Sequence, residues 1–475
     1  MTAPASAVGE QGSSSTVKII ANLFISFIGA GILGLPYAFK ESGVLEGVLV
    51  MSLVGAFSVK GMILVINCKY KILENPTKRH DAKQGKIVLP QHNLEADTER
   101  LLDTDDPDVM VKKRALKQCA SEDNMNYGDV GYHAIGRVGR MLVDVALLIS
   151  QLGFCCAYLI FISENLGSYV EKISKSDWLL IMLPFLFLLT LLRELHSLAH
   201  TSMFAQVSNL LAFLVVFWFD FEHWSHATAR IHPKEVSLKG FPLFFAVSIY
   251  CYEGAGMILT LEQSVAKEKR HLFNGYFVRT MVAVTILYIV FGACGYMSFG
   301  LETNEIITLN LPKNSAIDFS VMVKCCLCLA LFFTYPVMMF PVTKLLESRL
   351  LQSQEANPWY GNLMRLVLVG ITGLTVMIIP NFANLMALVG STCCTLLAFI
   401  LPGFFHIVLF KGSLTRRQYL FDVVLIFLGV AGTFIGTYDT MKRMGASRKP
   451  NLVMMPDISQ LNSSQPLMLN QSMEA

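Results

Sequence analysis

Glu253 is a carboxylate set inside an apolar stretch and followed at once by glycine, in the run Ser248-Ile249-Tyr250-Cys251-Tyr252-Glu253-Gly254-Ala255-Gly256. A charged side chain at the middle of a bilayer costs about 3 kcal/mol on insertion scales, so one kept there should face the protein interior and carry a role. Two roles are open: binding a substrate or proton, and capping backbone amides that the neighbouring glycines expose. A second run, roughly half a chain earlier, repeats the pattern: Gly29-Ala30-Gly31-Ile32-Leu33 against Gly254-Ala255-Gly256-Met257-Ile258-Leu259. Pro36 follows the first run, removes a backbone donor and frees the carbonyls one turn back. Unpaired backbone groups cost several kcal/mol each in hydrocarbon, so such a break survives only beside a cavity or a ligand. Taken alone, the first run reads equally well as close helix packing through Gly31 or Gly34. Matching breaks in two halves of an apolar chain point instead to a binding site at the membrane midplane. Broken helices present free N–H groups and a positive dipole end to a carboxylate, and carbonyls to an ammonium. A zwitterion satisfies both poles, which makes an α-amino acid the natural ligand. Tyr250 and Tyr252 are candidates to shape the pocket, although aromatic packing explains them nearly as well.

The elements that must position these residues are membrane helices. The chain has 475 residues, 53% of them hydrophobic and only 15% charged, with mean hydropathy +0.51. That is too much apolar surface for a soluble domain of this length and describes an all-α polytopic membrane protein. Apolar windows able to cross about 30 Å of hydrocarbon number about eleven, at about 17–38, 44–68, 141–165, 178–195, 198–221, 242–262, 274–298, 316–347, 362–380, 383–410 and 418–439. The first and sixth carry the breaks. A net charge of +3, with no basic tract interleaved with aromatics, argues against nucleic acid as a partner. The partner is the lipid bilayer.

Lys and Arg collect between the second and third windows, among them Lys69, Lys71, Lys78, Arg79, Lys112 and Lys113, and again at Lys267, Lys269, Arg270, Arg416 and Arg417. This predicts a cytosolic tail over 1–16, helices over 17–68, a disordered cytosolic loop over 69–126, helices over 127–439 and a disordered lumenal or extracellular tail over 440–475. No basic start of a cleaved signal peptide precedes the first helix, which is expected to remain in the mature chain. Asn462 and Asn470 open glycosylation sequons in the last tail, as a lumenal position requires, while Lys442, Arg443, Arg448 and Lys449 favour the other face. In the long loop, Asp97-Thr98-Glu99-Arg100-Leu101-Leu102 fits the acidic dileucine pattern read by cytosolic sorting adaptors, with Asp97, Leu101 and Leu102 as its anchors; incidental leucines in a solvated acidic stretch explain it equally well. His92 and Asp97 share a spacing used by some membrane acyltransferases, but a charged linker offers no membrane pocket for such chemistry, so no enzyme activity is expected. The 11 cysteines fall almost wholly in apolar windows, and Cys325 and Cys328 lack companions at metal spacing, so packing is their expected role and neither a metal nor a cofactor is expected. Lys60 and Lys324 read as snorkelling cations. Thr334, beside Phe333 and Tyr335, is a candidate cation or proton relay, with packing the plainer reading.

Several further runs stand out: Gly34-Leu35-Pro36-Tyr37-Ala38-Phe39-Lys40, Tyr127-Gly128-Asp129-Val130-Gly131, Ser150-Gln151-Leu152-Gly153-Phe154, Tyr252-Glu253-Gly254 with Leu261-Glu262, Gly295-Tyr296 with Phe299-Gly300, Ile307-Thr308-Leu309-Asn310-Leu311-Pro312 and Phe332-Phe333-Thr334-Tyr335. Together they resemble the amino acid/auxin permease family, and most closely its proton-coupled and vacuolar amino acid transporter branch. The resemblance implies a five-plus-five inverted-repeat transporter fold with helices 1 and 6 broken, and movement of neutral amino acids with protons. It implies substrate contacts at Gly29, Ala30, Gly31 and Ile32, with Tyr250, Tyr252 and Glu253 opposite. Animal proton-coupled members carry a histidine two turns before the first break, where this chain has Asn22. Glu253 is thereby left as the main titratable candidate for coupling, with Asn22 and Thr334 as lesser ones. With no other charge near the breaks, small neutral amino acids are expected over lysine or glutamate. The expected membrane is lysosomal, vacuolar or endosomal, with the plasma membrane as the alternative. An amino acid sensor built on the same fold, and a sodium-coupled carrier, are the competing readings.

Overall fold

The computed structural model describes residues 15–74, 125–170, 172–191, 208, 213–219, 221–222, 234–311, 319–350 and 358–447. The described residues form helices α1 (Thr16–Phe27), α2 (Leu35–Ser42), α3 (Val44–Glu74), α4 (Tyr127–Ile135), α5 (Arg137–Gly167) and α6 (Lys175–Thr190). After a partly described fifth span, helical over 213–219, come α7 (Phe241–Cys251), α8 (Ile258–Gln263), α9 (Phe273–Phe299), α10 (Phe319–Leu350) and α11 (Pro358–Ile378). The tenth span joins α12 (Phe382–Val389) to α13 (Leu401–Leu409) through π-helical turns at Gly390–Cys394 and Leu396–Ile400, and α14 (Arg416–Ser447) ends the bundle. Seven of these helices or helix runs are long and apolar enough to cross a membrane singly, and α1 with α2 forms an eighth crossing bent by 48°. The fourth and sixth spans are built from shorter helices: α6 has 16 residues, and the sixth span is divided into pieces of 11 and 6. Described helix falls within every one of the expected windows.

Local chemistry fixes several ends. Asn126 and Asp129 form a reciprocal capping box at the start of α4, and Ser174 and Asp177 do the same for α6. Gly43 takes φ of +97° between α2 and α3, and a Cβ there would meet the Glu235 backbone at 2.7 Å. The first amides of α3 are satisfied across this turn, Val44 N–H donating to the Lys234 carbonyl and Leu45 N–H to that of Glu235.

Side-chain ties show which helix ends share a face. On the face where the chain enters, Thr16 meets Tyr276 at the start of α9, and Lys69 near the end of α3 pairs with Glu262 near the end of α8. On the other face, Arg443 of α14 reaches Glu41 of α2 and the Lys239 carbonyl just before α7, and Lys40 donates to the Thr303 carbonyl. The α1–α2 span therefore runs away from the entry face and the α7–α8 span runs toward it, which makes the two halves inverted copies in direction. The chain also leaves the bundle on the face opposite its entry, as an odd number of crossings requires.

Three expectations are corrected. The loop expected from residue 69 does not begin there, because α3 continues to Glu74; Lys69 is 1% exposed, not a loop cation. Continuing the helix lets Lys69 meet Glu262 at 2.6 Å, while the Tyr70 hydroxyl donates to the other carboxylate oxygen at 2.5 Å. Helix α14 likewise runs past the expected limit of 439 to Ser447, held by Arg443. Lys324 does not snorkel: it is buried, with its ammonium 4.8 Å from the centre of the Tyr169 ring. The ten described cysteines are all free. Asp97, Leu101, Leu102, His92, Asn462 and Asn470 lie outside the described residues.

Candidate functional site

The two breaks face each other. Helix α1 stops at Phe27, Gly29 is extended (φ −115°, ψ −177°), and a 3-10 turn from Ala30 to Gly34 leads into α2 with Pro36 in its first turn. Helix α7 stops at Cys251 and α8 starts at Ile258. The carbonyl ends of α1 and α7 converge from opposite directions on one group: the Tyr288 hydroxyl of α9 lies 2.5 Å from the Phe27 carbonyl and 3.2 Å from that of Cys251. A hydroxyl carries a single proton, so these carbonyls share it. On the other side of the first break, the opening N–H groups of the 3-10 turn precede any carbonyl of their own turn.

Close packing at the breaks depends on missing side chains. A Cβ on Gly31 would lie 3.1 Å from the Cys251 sulfur and 3.2 Å from the Tyr250 ring. One on Gly390 would lie 2.0 Å from the Ala246 carbonyl oxygen, backbone against backbone. Gly29 meets nothing within 4 Å, since it borders a cavity of about 70 Å³ between the breaks. Gly29, Ala30, Gly31 and Ile32 line that cavity together with Tyr250, Glu253, Tyr288, Gln151, Phe154 and Tyr158. It is far smaller than the roughly 300–1,000 Å³ of pockets for drug-sized ligands.

Polarity inside the cavity is sparse and directed. The Glu253 carboxyl lies against the backbone N–H groups of Ala255 and Gly256 and the thiol of Cys394, yet its Oε2 is buried without a hydrogen-bond partner among the described residues. Gln151 Oε1 is in the same condition, and both residues line the cavity. Glu253 supplies the cavity's one charged side chain among the described residues. Two unsatisfied acceptors at a small site call for a ligand with N–H donors. The Tyr250 ring packs edge-on against Phe154 at 4.8 Å.

Other expected site residues stand elsewhere. Tyr252 is fully buried behind the break, its hydroxyl donating to Thr285 at 2.8 Å, and it is absent from the cavity wall. Asn22 is exposed on α1, one turn before Ser26, which does line the cavity. Thr334 returns its hydroxyl to the Ala330 carbonyl of its own helix at 2.7 Å. Gln151 and Tyr288 were not singled out from the sequence. Gln151 carried a signal, as a polar side chain in the middle of an apolar window, while Tyr288 looks like any aromatic residue in a membrane helix.

The model of the transmembrane amino acid transporter protein family matches residues 12–86 and 110–442. The chain belongs to the transmembrane amino acid transporter family. Among relatives of this transporter is amino acid transporter AVT3B of Arabidopsis thaliana, 33% identical over 447 residues that cover 90% of this chain and 93% of that protein. Amino acid transporter ANT1 of Arabidopsis thaliana is 28% identical, covering 90% of this chain and 92% of that protein. The solved inward-facing structure of Mhp1 shares the transporter's fold at a TM-score of 0.54 and 12% identity, over 92% of this chain and 91% of that one. The architecture is the five-plus-five inverted-repeat transporter fold, and the transporter's two breaks are those of its first and sixth helices. It is an integral membrane protein of a non-enzymatic family.

Proposed function

We propose that this chain is a secondary active transporter that carries small neutral amino acids together with protons. The observation that carries this reading is the pair of acceptors without a partner among the described residues, Glu253 Oε2 and Gln151 Oε1, in a cavity to which those residues bring no second charge. An α-ammonium group supplies the donors they lack, and the free amides at the start of the 3-10 turn receive the carboxylate. Volume and the scarcity of charge together select a short, uncharged side chain. Glu253 alone among the lining residues can exchange a proton with the site, so proton coupling runs through it. The proposed orientation places the N-terminus in the cytosol. An endolysosomal or vacuolar membrane is favoured by the acidic dileucine pattern at Asp97, Leu101 and Leu102, whose reader would be a cytosolic adaptor.

Purified protein in liposomes, given alanine or proline under a proton gradient and then under a sodium gradient, tests the proposal. Uptake driven by the proton gradient supports it. Uptake driven by sodium alone would overturn the coupling, and saturable binding without flux would make the protein a sensor. Glu253→Gln is expected to abolish accumulation against a gradient; an unchanged pH dependence of uptake in that variant would remove Glu253 from the mechanism.

A further inference from the structure

Three arginines meet on the entry face of the bundle. Arg137 and Arg140 open α5, Arg349 closes α10, and they border a cavity of about 500 Å³ whose remaining wall includes Met141, Leu148 and Leu345. Arg140 pairs with Asp129, and Arg349 pairs with Asp144, which also lines the cavity. Arg137 is exposed and has no carboxylate partner among the described residues. Helix α5 starts there with no side-chain cap and no acidic residue in its first turn, so its dipole adds positive potential to that of the arginines. With Arg140 and Arg349 already paired, Arg137 and the helix end give the recess its excess positive charge.

An apolar furrow continues from it. Met141 and Val145 also line a second groove of about 360 Å³, which runs between α5 and the tenth span past Ile149, Leu396 and Ile400. Met141 and Val145 are 59% and 48% exposed, on a flank of α5 that meets hydrocarbon when the bundle sits in a bilayer. A basic recess at the end of a span, joined to an apolar groove along it, has the shape and charge of one kind of ligand.

We propose that this groove binds an anionic glycerophospholipid, its phosphate on Arg137 at the start of α5, beside the Arg349–Asp144 pair, and an acyl chain along Met141 and Val145. A soluble phosphate would use the arginines and leave the furrow bare. A neutral phospholipid would fill the furrow without bringing Arg137 the carboxylate or phosphate partner that it lacks among the described residues. Basic recesses between membrane helices favour anionic headgroups on these grounds. The furrow reaches Thr392 and Cys393 in the first π-helical turn, whose next residue, Cys394, touches Glu253. The inference stands apart from the choice of transported substrate.

Native mass spectrometry of the full chain in mild detergent tests it. The chain is titrated with dioleoyl phosphatidylinositol 4-phosphate and with dioleoyl phosphatidylcholine, and soluble inositol phosphate is added as competitor. The anionic lipid should be retained in preference to phosphatidylcholine, with little competition from inositol phosphate. Arg137→Gln should weaken its retention about tenfold, the weight of one charge-assisted hydrogen bond. Val145→Trp should reduce retention of the same lipid by filling the furrow. Equal retention of both lipids, or no change in either variant, would overturn the proposal. Full competition by inositol phosphate would overturn it too, by assigning the recess to a free phosphate.

Discussion

Tyr288 shows how much of the site rests on one hydroxyl. Its oxygen lies within hydrogen-bond reach of two carbonyls that end helices arriving from opposite faces, and no other donor reaches them from the described residues. Tyr288→Phe would remove the one proton that the two buried carbonyls share, at a cost of roughly 1–3 kcal/mol. A lower melting temperature in detergent and slower amino acid uptake are the expected outcome; wild-type values for both would show the tie to be incidental. Glycines at the first break separate packing from binding. Gly31→Ala sets a methyl group against the Cys251 sulfur and the Tyr250 ring, so the break must shift and stability should fall by about 1–3 kcal/mol. Gly29→Ala meets no atom within 4 Å, so the fold should hold while the new methyl takes space from the cavity and raises the KM for alanine. Equal damage from both substitutions would contradict this division.

At the scale of the helices, the sequence revealed the breaks because their cause is local. Pro36 and the paired glycines act within one turn of where they stand, and a carboxylate in an apolar window is conspicuous wherever it occurs. Ends of helices whose cause is distant were not legible. Lys69 follows a long apolar run and reads as the first cation of a loop; only the fold shows Glu262 waiting at 2.6 Å, far along the chain. The turn of Tyr252 away from the cavity was hidden, since helical phase cannot be counted across the break after Cys251, whereas Gln151, in an unbroken helix, showed as a polar side chain in an apolar window. The Lys69–Glu262 pair joins α3 to α8 in a fully buried setting. Lys69→Met alone should cost about 3 kcal/mol, since among the described residues Glu262 keeps only the Tyr70 hydroxyl and the more distant Arg270, 3.9 Å away, and Lys69→Met with Glu262→Leu should recover part of that loss. Thermal unfolding of the three proteins checks this; a double variant as weak as the single one would mean that the pair does more than neutralise itself.

For the whole molecule, the loop between the seventh and eighth spans couples stability to pH. Glu305 lies beyond the apolar part of α9, and burial raises its carboxyl above the ordinary carboxylate range, against the lowering effect of the Ala383 and Phe382 amides and the Asn381 side chain. A raised value in the folded state means that the folded protein holds a proton in a window where the unfolded chain has lost it. Stability should therefore fall as pH rises through that window above the ordinary Glu value, and Glu305→Gln should flatten the slope. Melting temperatures across the acidic range decide it, and an identical slope in the variant would remove Glu305 as the source. The same loop is tied to the end of α5, with its Thr308 hydroxyl donating to Asn165 at 2.7 Å, and to α2, with Lys40 donating to the Thr303 carbonyl.

The ion pairs that mark the two faces have a consequence for kinetics. Lys69–Glu262 fastens the outer end of α8, and Arg443–Glu41 fastens the outer end of α2, and neither touches the cavity. A change at one pair is expected to bias the bundle toward opening on that face, and to change the apparent affinity only through the share of molecules that are competent to bind, with the intrinsic contacts of the central pocket left as they are. Access to the pocket and the shape of the pocket thus rest on different residues in this chain.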